Sequence, residues 1–186
     1  MFGDCMSNID LNTVFEQFQR DRRWHDGSMA NYFWPGIGFG GYCLPKDTRA
    51  LSFLMENCAF KGKVLAACIS VNDELIRHFA EKIVLKFGKH EKVVLLGSSF
   101  KVGSDDIRMS KTTELITRLR EISDIEIALL RDVASEEIAT ENEFVSLLDA
   151  SEINVSDGVV VVLRDPRYQQ ILSEVPESNI LNIPLL

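Results

Sequence analysis

A glycine-rich stretch at residues 36–49 constrains the fold of this chain more than any other part of its sequence. Its four glycines alternate with large apolar residues, a single cysteine follows at Cys43, and Pro45 precedes the charged pair Lys46 and Asp47. Glycine at this density lets the backbone take positive φ or lets a ligand approach it closely. The proline and the acid, followed by an apolar-periodic run, predict a helix that begins here with the acid in its first turn.

Cys43 has two interpretations at this point. The start of a helix and the neighbouring Lys46 both favour the thiolate, which is the form of cysteine that attacks carbon. Free cysteine is also among the residues most often buried, so spacing alone leaves a structural role open. Cys58 and Cys68 lie on apolar helical patterns, and for them a buried, structural role is predicted.

Helical spacing dominates the first half of the chain. A helix is predicted within residues 1–20, capped by Asp10 or Asn12, and the helix after the glycine stretch continues to about residue 57. A longer helix runs from about residue 63 to residue 87, with Gly88 as its C-terminal stop and as a domain boundary. Its apolar positions are Val64, Ala67, Cys68, Val71, Leu75, Phe79, Ile83 and Phe87.

The second half of the chain alternates between strands and helices. Apolar runs at residues 93–96, 125–130, 159–163 and 180–183 predict strands, and residues 110–121 and 143–148 predict helices. This alternation builds right-handed βαβ units, so the predicted fold is α/β with a parallel, doubly wound sheet. Ligands of such sheets bind outside the carboxyl ends of the strands.

Residues 97–110 leave the first predicted strand and form the second stretch with chemical character. They carry Lys101, Arg108 and several hydroxyl groups, which together with the amides of a helix start suit an anionic ligand. The pattern is not GxGxxG, because Ser99 stands two residues after Gly97. A solvated loop without a ligand is the alternative.

Charge and composition exclude several kinds of partner. The formal net charge of −8 at pH 7 disfavours binding to nucleic acid or to an anionic membrane surface. No apolar run is long enough to span a bilayer, and the first residues lack the pattern of a signal peptide. Four cysteines without a CxxC pair give no metal-site pattern. We therefore expect a cytoplasmic protein without a metal site.

The two chemical stretches together resemble one known family. Residues 38–51 resemble the catalytic segment of UDP-glucose and GDP-mannose dehydrogenases, and residues 100–110 resemble the sugar-nucleotide loop of the same family. The resemblance implies a helical central domain at residues 1–88, with a long connecting helix that forms a homodimer. It also implies a Rossmann-like domain that binds a UDP-sugar at residues 89–186.

The resemblance further implies a two-step oxidation of a primary alcohol to a carboxylate, with NAD as the hydride acceptor. Cys43 matches the nucleophile that captures the aldehyde as a thiohemiacetal and then carries a thioester, and Asp47 matches the acid that assists water. Lys46 matches a residue near the cofactor, and Arg108 matches one that reaches the cofactor of a neighbouring subunit's site. The implied substrate contacts are Trp34, Pro35, Gly36, Ile37, Gly38, Phe39, Gly40, Phe100 and Lys101.

The chain also departs from the family. No strand–GxGxxG–helix unit is present, so we expect that the chain alone does not turn over and that the NAD-binding half is missing or separately encoded. Gly27 stands where the family has an arginine, and the residues from Arg22 to Trp24 come too early to replace it. The family's C-terminal arginine has no counterpart after the last predicted strand, and Arg164 and Arg167, which follow the third predicted strand, are the candidates to replace it. The alternative function is a non-catalytic module that binds sugar nucleotides or mediates assembly.

Overall fold

The structure, a computed structural model, describes residues 10–21, 36–58 and 62–183. Within these ranges three helices come first, and strands and helices then alternate, except that only a 3-10 turn at Ala150–Glu152 separates β3 from β4. The elements are α1 Leu11–Gln19, α2 Cys43–Asn57, α3 Lys63–Phe87, β1 Lys92–Leu96, α4 Lys111–Ile122, β2 Glu126–Leu130, α5 Ser135–Glu141, β3 Val145–Leu148, β4 Gly158–Val161, α6 Gln169–Glu174 and β5 Ile180–Asn182.

The five strands form one parallel sheet in the order β3-β2-β1-β4-β5. β4 and all but the first residues of β1 and β2 are buried, as a parallel sheet covered on both faces requires. The side chains of β1 alternate between two apolar clusters, with Val93 and Leu95 in one and Val94 and Leu96 in the other. The predicted α/β fold is confirmed. Because strand order reverses between β1 and β4, the ligand crevice of this sheet lies at their carboxyl ends.

The C-terminal half of α3 belongs to the same core as the sheet. Ile76, Ala80, Ile83 and Phe87 recur at helical spacing and pack in the cluster that contains β1 and α4. A Cβ on Gly158, the first residue of β4, would lie 2.8 Å from the Phe87 ring, so glycine is needed for this close approach. The predicted bounds of this helix are confirmed. The division of the chain at residue 88 stays a prediction, and apolar packing continues across it.

The N-terminal half of α3 is more exposed than its apolar pattern suggested. Val64 and Val71 are 80% and 50% exposed, and Cys68 is exposed as well. Every buried residue of α3 lies at or beyond Asn72, because only the C-terminal half packs against the sheet and α4. Cys58, just after α2, is also exposed. The predicted burial of both cysteines is therefore wrong.

Two elements of the second half differ from expectation. Residues 143–148, predicted as a helix, contain β3, which pairs with β2 at the edge of the sheet. This strand has only four residues, the first buried and the other three half-buried, which is too short a run for periodicity to distinguish a strand from a helix. The helix of this unit is α5, whose sequence is largely polar and whose buried residues are Ser135 and Ile138. The short helix α6 was also not predicted.

Among the helices of the described ranges, none has both the length and the apolar character of a membrane span.

We predict that Ile83→Ala lowers the free energy of unfolding by about 2–5 kcal/mol, because it leaves a cavity in the apolar cluster that α3 shares with β1 and α4. Leu85→Ala is the matched control on the same helix, since Leu85 is 88% exposed and Ile83 is fully buried. The control should stay within about 0.5 kcal/mol of the wild type in urea unfolding followed by circular dichroism. Equal effects of the two substitutions would contradict this packing of α3.

Candidate functional site

Cys43 is the first residue of α2, and its side chain is exposed. Tyr42 precedes it as the N-cap residue, and its side chain makes no hydrogen bond to the helix amides. Pro45 is buried in the first turn, where a missing N–H costs no helical hydrogen bond. The predicted helix start is confirmed. The first turn contains no acid, because Asp47 comes one residue after it, so that part of the prediction is wrong.

Asp47 lies one helical turn after Cys43 and pairs with its neighbour Lys46. Lys46 Nζ is 2.7 Å from Asp47 Oδ1, and both side chains are more than half exposed. The hydrogen bond to Asp47 is the largest of the effects that raise the pKa of Lys46. An exposed pair of this kind adds little stability. The position of Asp47 follows from the helix itself. Residues four apart share one face of a helix, so Asp47 lies on the Cys43 side of α2.

Asn72 holds the glycine stretch from the side of α3. Its Oδ1 accepts a hydrogen bond of 2.7 Å from the backbone N–H of Phe39, and the side chain is almost fully buried. Gly38 has φ of +118°, and a Cβ there would lie 2.5 Å from Asn72 Oδ1. Sequence reasoning missed Asn72. The available signal was a polar residue four positions before Ile76, on the buried face of an amphipathic helix.

Loop 97–110 holds the same stretch from the other side. Gly41 N–H donates to the Met109 carbonyl at 3.4 Å, and a Cβ on Gly41 would lie 3.0 Å from the Phe100 ring. A Cβ on Gly40 would lie only 2.5 Å from the Met109 oxygen. The two stretches that carry the chemical motifs are therefore in direct contact. Close backbone approach, made possible by glycine, brings them together.

Both ends of loop 97–110 are fixed by hydrogen bonds at the carboxyl end of β1. Ser110 caps α4, since its Oγ accepts from Thr112 N–H at 3.3 Å and donates to the Ser98 carbonyl at 2.7 Å. Thr112 Oγ1 donates to the Gly97 carbonyl at 2.8 Å. Gly97 has φ of +109°, and a Cβ there would collide with Leu163 in the loop after β4. The loop therefore starts at the point where strand order reverses.

Arg108 links loop 97–110 to the residue before Cys43. Its guanidinium lies 4.6 Å from the centre of the Tyr42 ring and binds Asp106 through two hydrogen bonds, of 2.9 and 2.7 Å. These bonds, with a third from the Arg108 backbone N–H, lower the pKa of Asp106 to about 2. Arg108 is thus held at the surface beside the start of α2.

The other predicted contact residues are distributed unevenly. Ile37 is buried in the apolar cluster that α3 shares with β1 and α4, and it holds the glycine stretch against that cluster. Phe100 and Lys101 are exposed on loop 97–110. A Cβ added to Gly36 would meet none of the described residues within 4 Å. Trp34 and Pro35 lie outside the described residues, as do Arg22, Arg23, Trp24 and Gly27.

The turn after β1 does not fit the pyrophosphate of NAD. A Rossmann site offers free amides at this turn and at the start of the next helix. Here Ser98 N–H donates to Asp132 Oδ2 at 3.1 Å, and Thr112 N–H donates to the Ser110 side chain. The amides of Ser98 and Thr112 are therefore paired with protein oxygens and are not free to bind that pyrophosphate. In the described part of the chain, no group of three or more His, Cys, Asp or Glu side chains is arranged to hold a metal ion.

Arg167 faces the crevice at the carboxyl end of the sheet. It lines a small cavity there together with Ser99, Gly103 and Asp132. Its guanidinium binds Asp165, with Nε at 2.8 Å from the carboxylate, and this hydrogen bonding lowers the pKa of the buried Asp165. Arg164 is exposed in the same loop. A role for either arginine in place of the family's C-terminal arginine stays a prediction.

Sequence comparisons find relatives among nucleotide-sugar dehydrogenases. Residues 4–74 match the central domain of the UDP-glucose/GDP-mannose dehydrogenase family. A GDP-mannose 6-dehydrogenase of Azotobacter vinelandii is 34% identical over 183 residues, which cover 91% of this chain and 41% of the relative. A UDP-glucose 6-dehydrogenase of Rickettsia felis is 36% identical over 89 residues, or 46% of this chain and 20% of the relative. The chain thus spans less than half the length of these curated relatives.

Solved structures show the same fold. A UDP-glucose dehydrogenase from Pyrobaculum islandicum matches with a TM-score of 0.77 at 24% identity, over 95% of this chain and 40% of that chain. A GDP-mannose dehydrogenase from Pseudomonas aeruginosa matches with a TM-score of 0.69 at 24% identity, over 95% of this chain and 42% of that chain. The arrangement of α2, α3 and the parallel sheet is therefore one that known proteins share.

We predict that Gly38→Ala lowers the free energy of unfolding by about 1–3 kcal/mol, because alanine is strained at positive φ and its Cβ would collide with Asn72. Gly36→Ala is the control in the same stretch, since a Cβ there has no neighbour within 4 Å among the described residues. The control should stay within about 1 kcal/mol of the wild type, as measured by urea unfolding. If both variants were as stable as the wild type, the described packing of Gly38 against Asn72 would be wrong.

Proposed function

Because the chain belongs to the UDP-glucose/GDP-mannose dehydrogenase family, we propose that it is the C-terminal part of an NAD-dependent nucleotide-sugar dehydrogenase. The complete enzyme would oxidise UDP-glucose, or a related UDP- or GDP-hexose, to the uronic acid. One observation carries the proposal: the residues just before Cys43 contact loop 97–110 through Gly41, Tyr42, Phe100 and Arg108. A sugar nucleotide on that loop would have its hexose within reach of the thiol.

Cys43 is the proposed nucleophile. Its thiolate adds to the carbonyl carbon of the aldehyde, which forms a C–S bond and gives a thiohemiacetal. NAD, when bound in the complete enzyme, accepts the hydride in each of the two oxidations. After the second oxidation Cys43 holds the acyl group as a thioester. The exposed position of Cys43 at the first turn of α2 supports this role, because both substrate and water can reach it.

Asp47 is the proposed base for the hydrolysis of the thioester. Water adds to the acyl carbon and gives a proton to the carboxylate, and the C–S bond then breaks to release the thiolate and the uronic acid, which loses its remaining acidic proton to solvent. The position of Asp47 four residues after Cys43 supports this role. Lys46, paired with Asp47, is the proposed contact to the cofactor, and Arg108 is proposed to reach the cofactor of a neighbouring subunit.

The proposed sugar-nucleotide site combines loop 97–110 with the stretch around Gly38. Lys101 is exposed and supplies a positive charge for the diphosphate, and the exposed Phe100 ring supplies an apolar face. The stretch from Trp34 to Gly40 is proposed to lie over the hexose. Gly36 and Gly40 suit this role, since glycine lets a ligand approach the backbone closely.

We also propose that turnover and assembly need more than this chain. The turn after β1 does not fit the pyrophosphate of NAD, so another part of the complete enzyme would have to hold that cofactor. Leu51, Phe53, Leu54, Val64 and Val71 are exposed apolar residues on α2 and the first half of α3. They support a homodimer through the long helix, because exposed apolar surface of this kind is typical of interfaces.

We predict that UDP-glucose or GDP-mannose shields Cys43 from alkylation. In a Cys5→Ser, Cys58→Ser, Cys68→Ser background, Cys43 is the single thiol, and its reaction with iodoacetamide can be followed by intact mass. Saturating sugar nucleotide should slow the reaction by about tenfold or more, since a bound hexose covers the sulfur.

The control is a variant that keeps only Cys68, which is exposed on α3. Its alkylation rate should not respond to the nucleotide. If sugar nucleotide at saturating concentration left the alkylation rate of Cys43 unchanged, the proposed placement of the hexose would be wrong. That result would then favour the non-catalytic binding module.

A further inference from the structure

Asn72 forms the hydrogen bond that fixes the middle of the glycine stretch. Its Oδ1 accepts from the Phe39 N–H at 2.7 Å, although the two residues are 33 positions apart in the sequence. Because a backbone N–H must face an acceptor, this contact also settles which end of the side-chain amide is the oxygen. Nδ2 donates no hydrogen bond to any of the described residues. The acceptor is therefore the half of Asn72 that the fold uses.

Burial makes this hydrogen bond costly to lose. Asn72 is 4% exposed, and it is the first buried residue along α3. Without Oδ1, the N–H of the half-buried Phe39 would lose its acceptor, and an unpaired donor of that kind costs more free energy than the hydrogen bond itself contributes. The same oxygen lies 2.5 Å from the position of a Cβ on Gly38. One side chain therefore determines both where residue 39 lies and which residue can precede it.

Asn72 also supplies the shorter of the two hydrogen bonds that the backbone N–H groups of residues 36–41 donate within the described structure. The other runs from the Gly41 N–H to the Met109 carbonyl at 3.4 Å, which is long for a bond of this type. Ile37 adds an apolar contact, since it is buried in the cluster that α3 shares with β1 and α4. The strongest polar restraint on the stretch is therefore the one from Asn72.

Two amides next to Phe39 remain available to a ligand. Gly38 and Gly40 flank it, and among the described residues their N–H groups have no hydrogen-bond acceptor. Gly38 is exposed and Gly40 is half-buried, so neither residue is closed off from solvent. The hydroxyl oxygens of a sugar are acceptors that suit such amides. The stretch therefore gives one N–H to Asn72 and keeps those on either side of it free.

We propose that Asn72 is the positioning residue for the hexose: by holding Phe39, it keeps the glycine stretch in the form that binds the sugar of a sugar nucleotide. The inference rests on the proposed function, in which the stretch lies over the hexose and loop 97–110 holds the diphosphate. It deepens that function, because Asn72 acts through the Phe39 backbone and needs no contact with the substrate. Loop 97–110 is fixed independently through Ser110 and Thr112, so the nucleotide part should bind without Asn72.

The test compares the affinity for UDP-glucose with that for UDP, and the affinity for GDP-mannose with that for GDP, by calorimetric titration. Asn72→Leu keeps the approximate size of the side chain and removes the acceptor. It should lower the ratio of sugar-nucleotide affinity to free-nucleotide affinity by about fivefold or more, the loss typical of a buried donor left unpaired. Asn72→Asp keeps an acceptor oxygen for the Phe39 N–H, so its ratio should stay close to that of the wild type.

Both substitutions should also lower the free energy of unfolding, because Asn72→Asp buries a carboxylate and Asn72→Leu leaves an amide unpaired. A merely structural role of Asn72 would weaken the binding of UDP and UDP-glucose by the same factor, which leaves their ratio unchanged. Glu74→Gln is the matched control on the exposed side of α3, since Glu74 accepts a hydrogen bond from Ser70 of the same helix. Its ratio should equal that of the wild type.

Hydrogen exchange of the wild type, followed by NMR, is a second measurement that needs no variant. The Phe39 amide should be protected in the free chain, because Asn72 holds it. The amides of Gly38 and Gly40 should gain protection with the sugar nucleotide that binds but not with the matching free nucleotide. This measurement decides the outcome if Asn72→Leu does not fold.

An unchanged ratio in Asn72→Leu would overturn the inference. An equal fall in Asn72→Asp would overturn it too, because the acceptor would then not be responsible, and so would fast exchange of the Phe39 amide in the wild type. If the wild type bound neither sugar nucleotide, the proposed function would fail. The exchange of the Phe39 amide would in that case still show whether Asn72 holds the stretch.

Discussion

The placement of Cys43 depends on close backbone packing of the glycine stretch between α3 and loop 97–110. On one side Asn72 accepts the Phe39 N–H at 2.7 Å and leaves no room for a Cβ on Gly38. On the other side the Met109 carbonyl and the Phe100 ring leave little room above Gly40 and Gly41. A side chain at these glycines would push the stretch away from one neighbour or the other. The start of α2 would move with it.

One apolar core holds both neighbours of that stretch. The C-terminal half of α3 packs in the same cluster as β1 and α4, and loop 97–110 connects β1 to α4. The loop also starts where strand order reverses, which is where parallel sheets place their ligands. Asn72 and loop 97–110 are therefore fixed relative to each other by the packing of the domain. The start of α2, where Cys43 lies, is accordingly held at their junction.

Patterns in the sequence predicted the helices and strands that have a regular repeat. They did not indicate the burial and the distant contacts that depend on tertiary packing. The bounds of α3, the strands β1 and β2 and the start of α2 follow from periodicity, apolar runs and the proline signal. β3 was mistaken for a helix because a strand of four residues is too short to show periodicity. Cys58 and Cys68 lie on apolar patterns that no described element covers. The contacts of Asn72 with Phe39 and of Tyr42 with Arg108 join residues that are far apart in the chain. Periodicity places Asn72 on the buried face of α3, but it does not indicate which residue Asn72 contacts.

The most direct test of the central claim is calorimetric titration of this chain with UDP-glucose and GDP-mannose, with NAD as the comparison. The claim is that loop 97–110 and the glycine stretch together form a sugar-nucleotide site, whereas the turn after β1 does not accept the pyrophosphate of NAD. The account predicts saturable binding of one of the two sugar nucleotides, with no heat from NAD. Binding of NAD in place of both sugar nucleotides would contradict it.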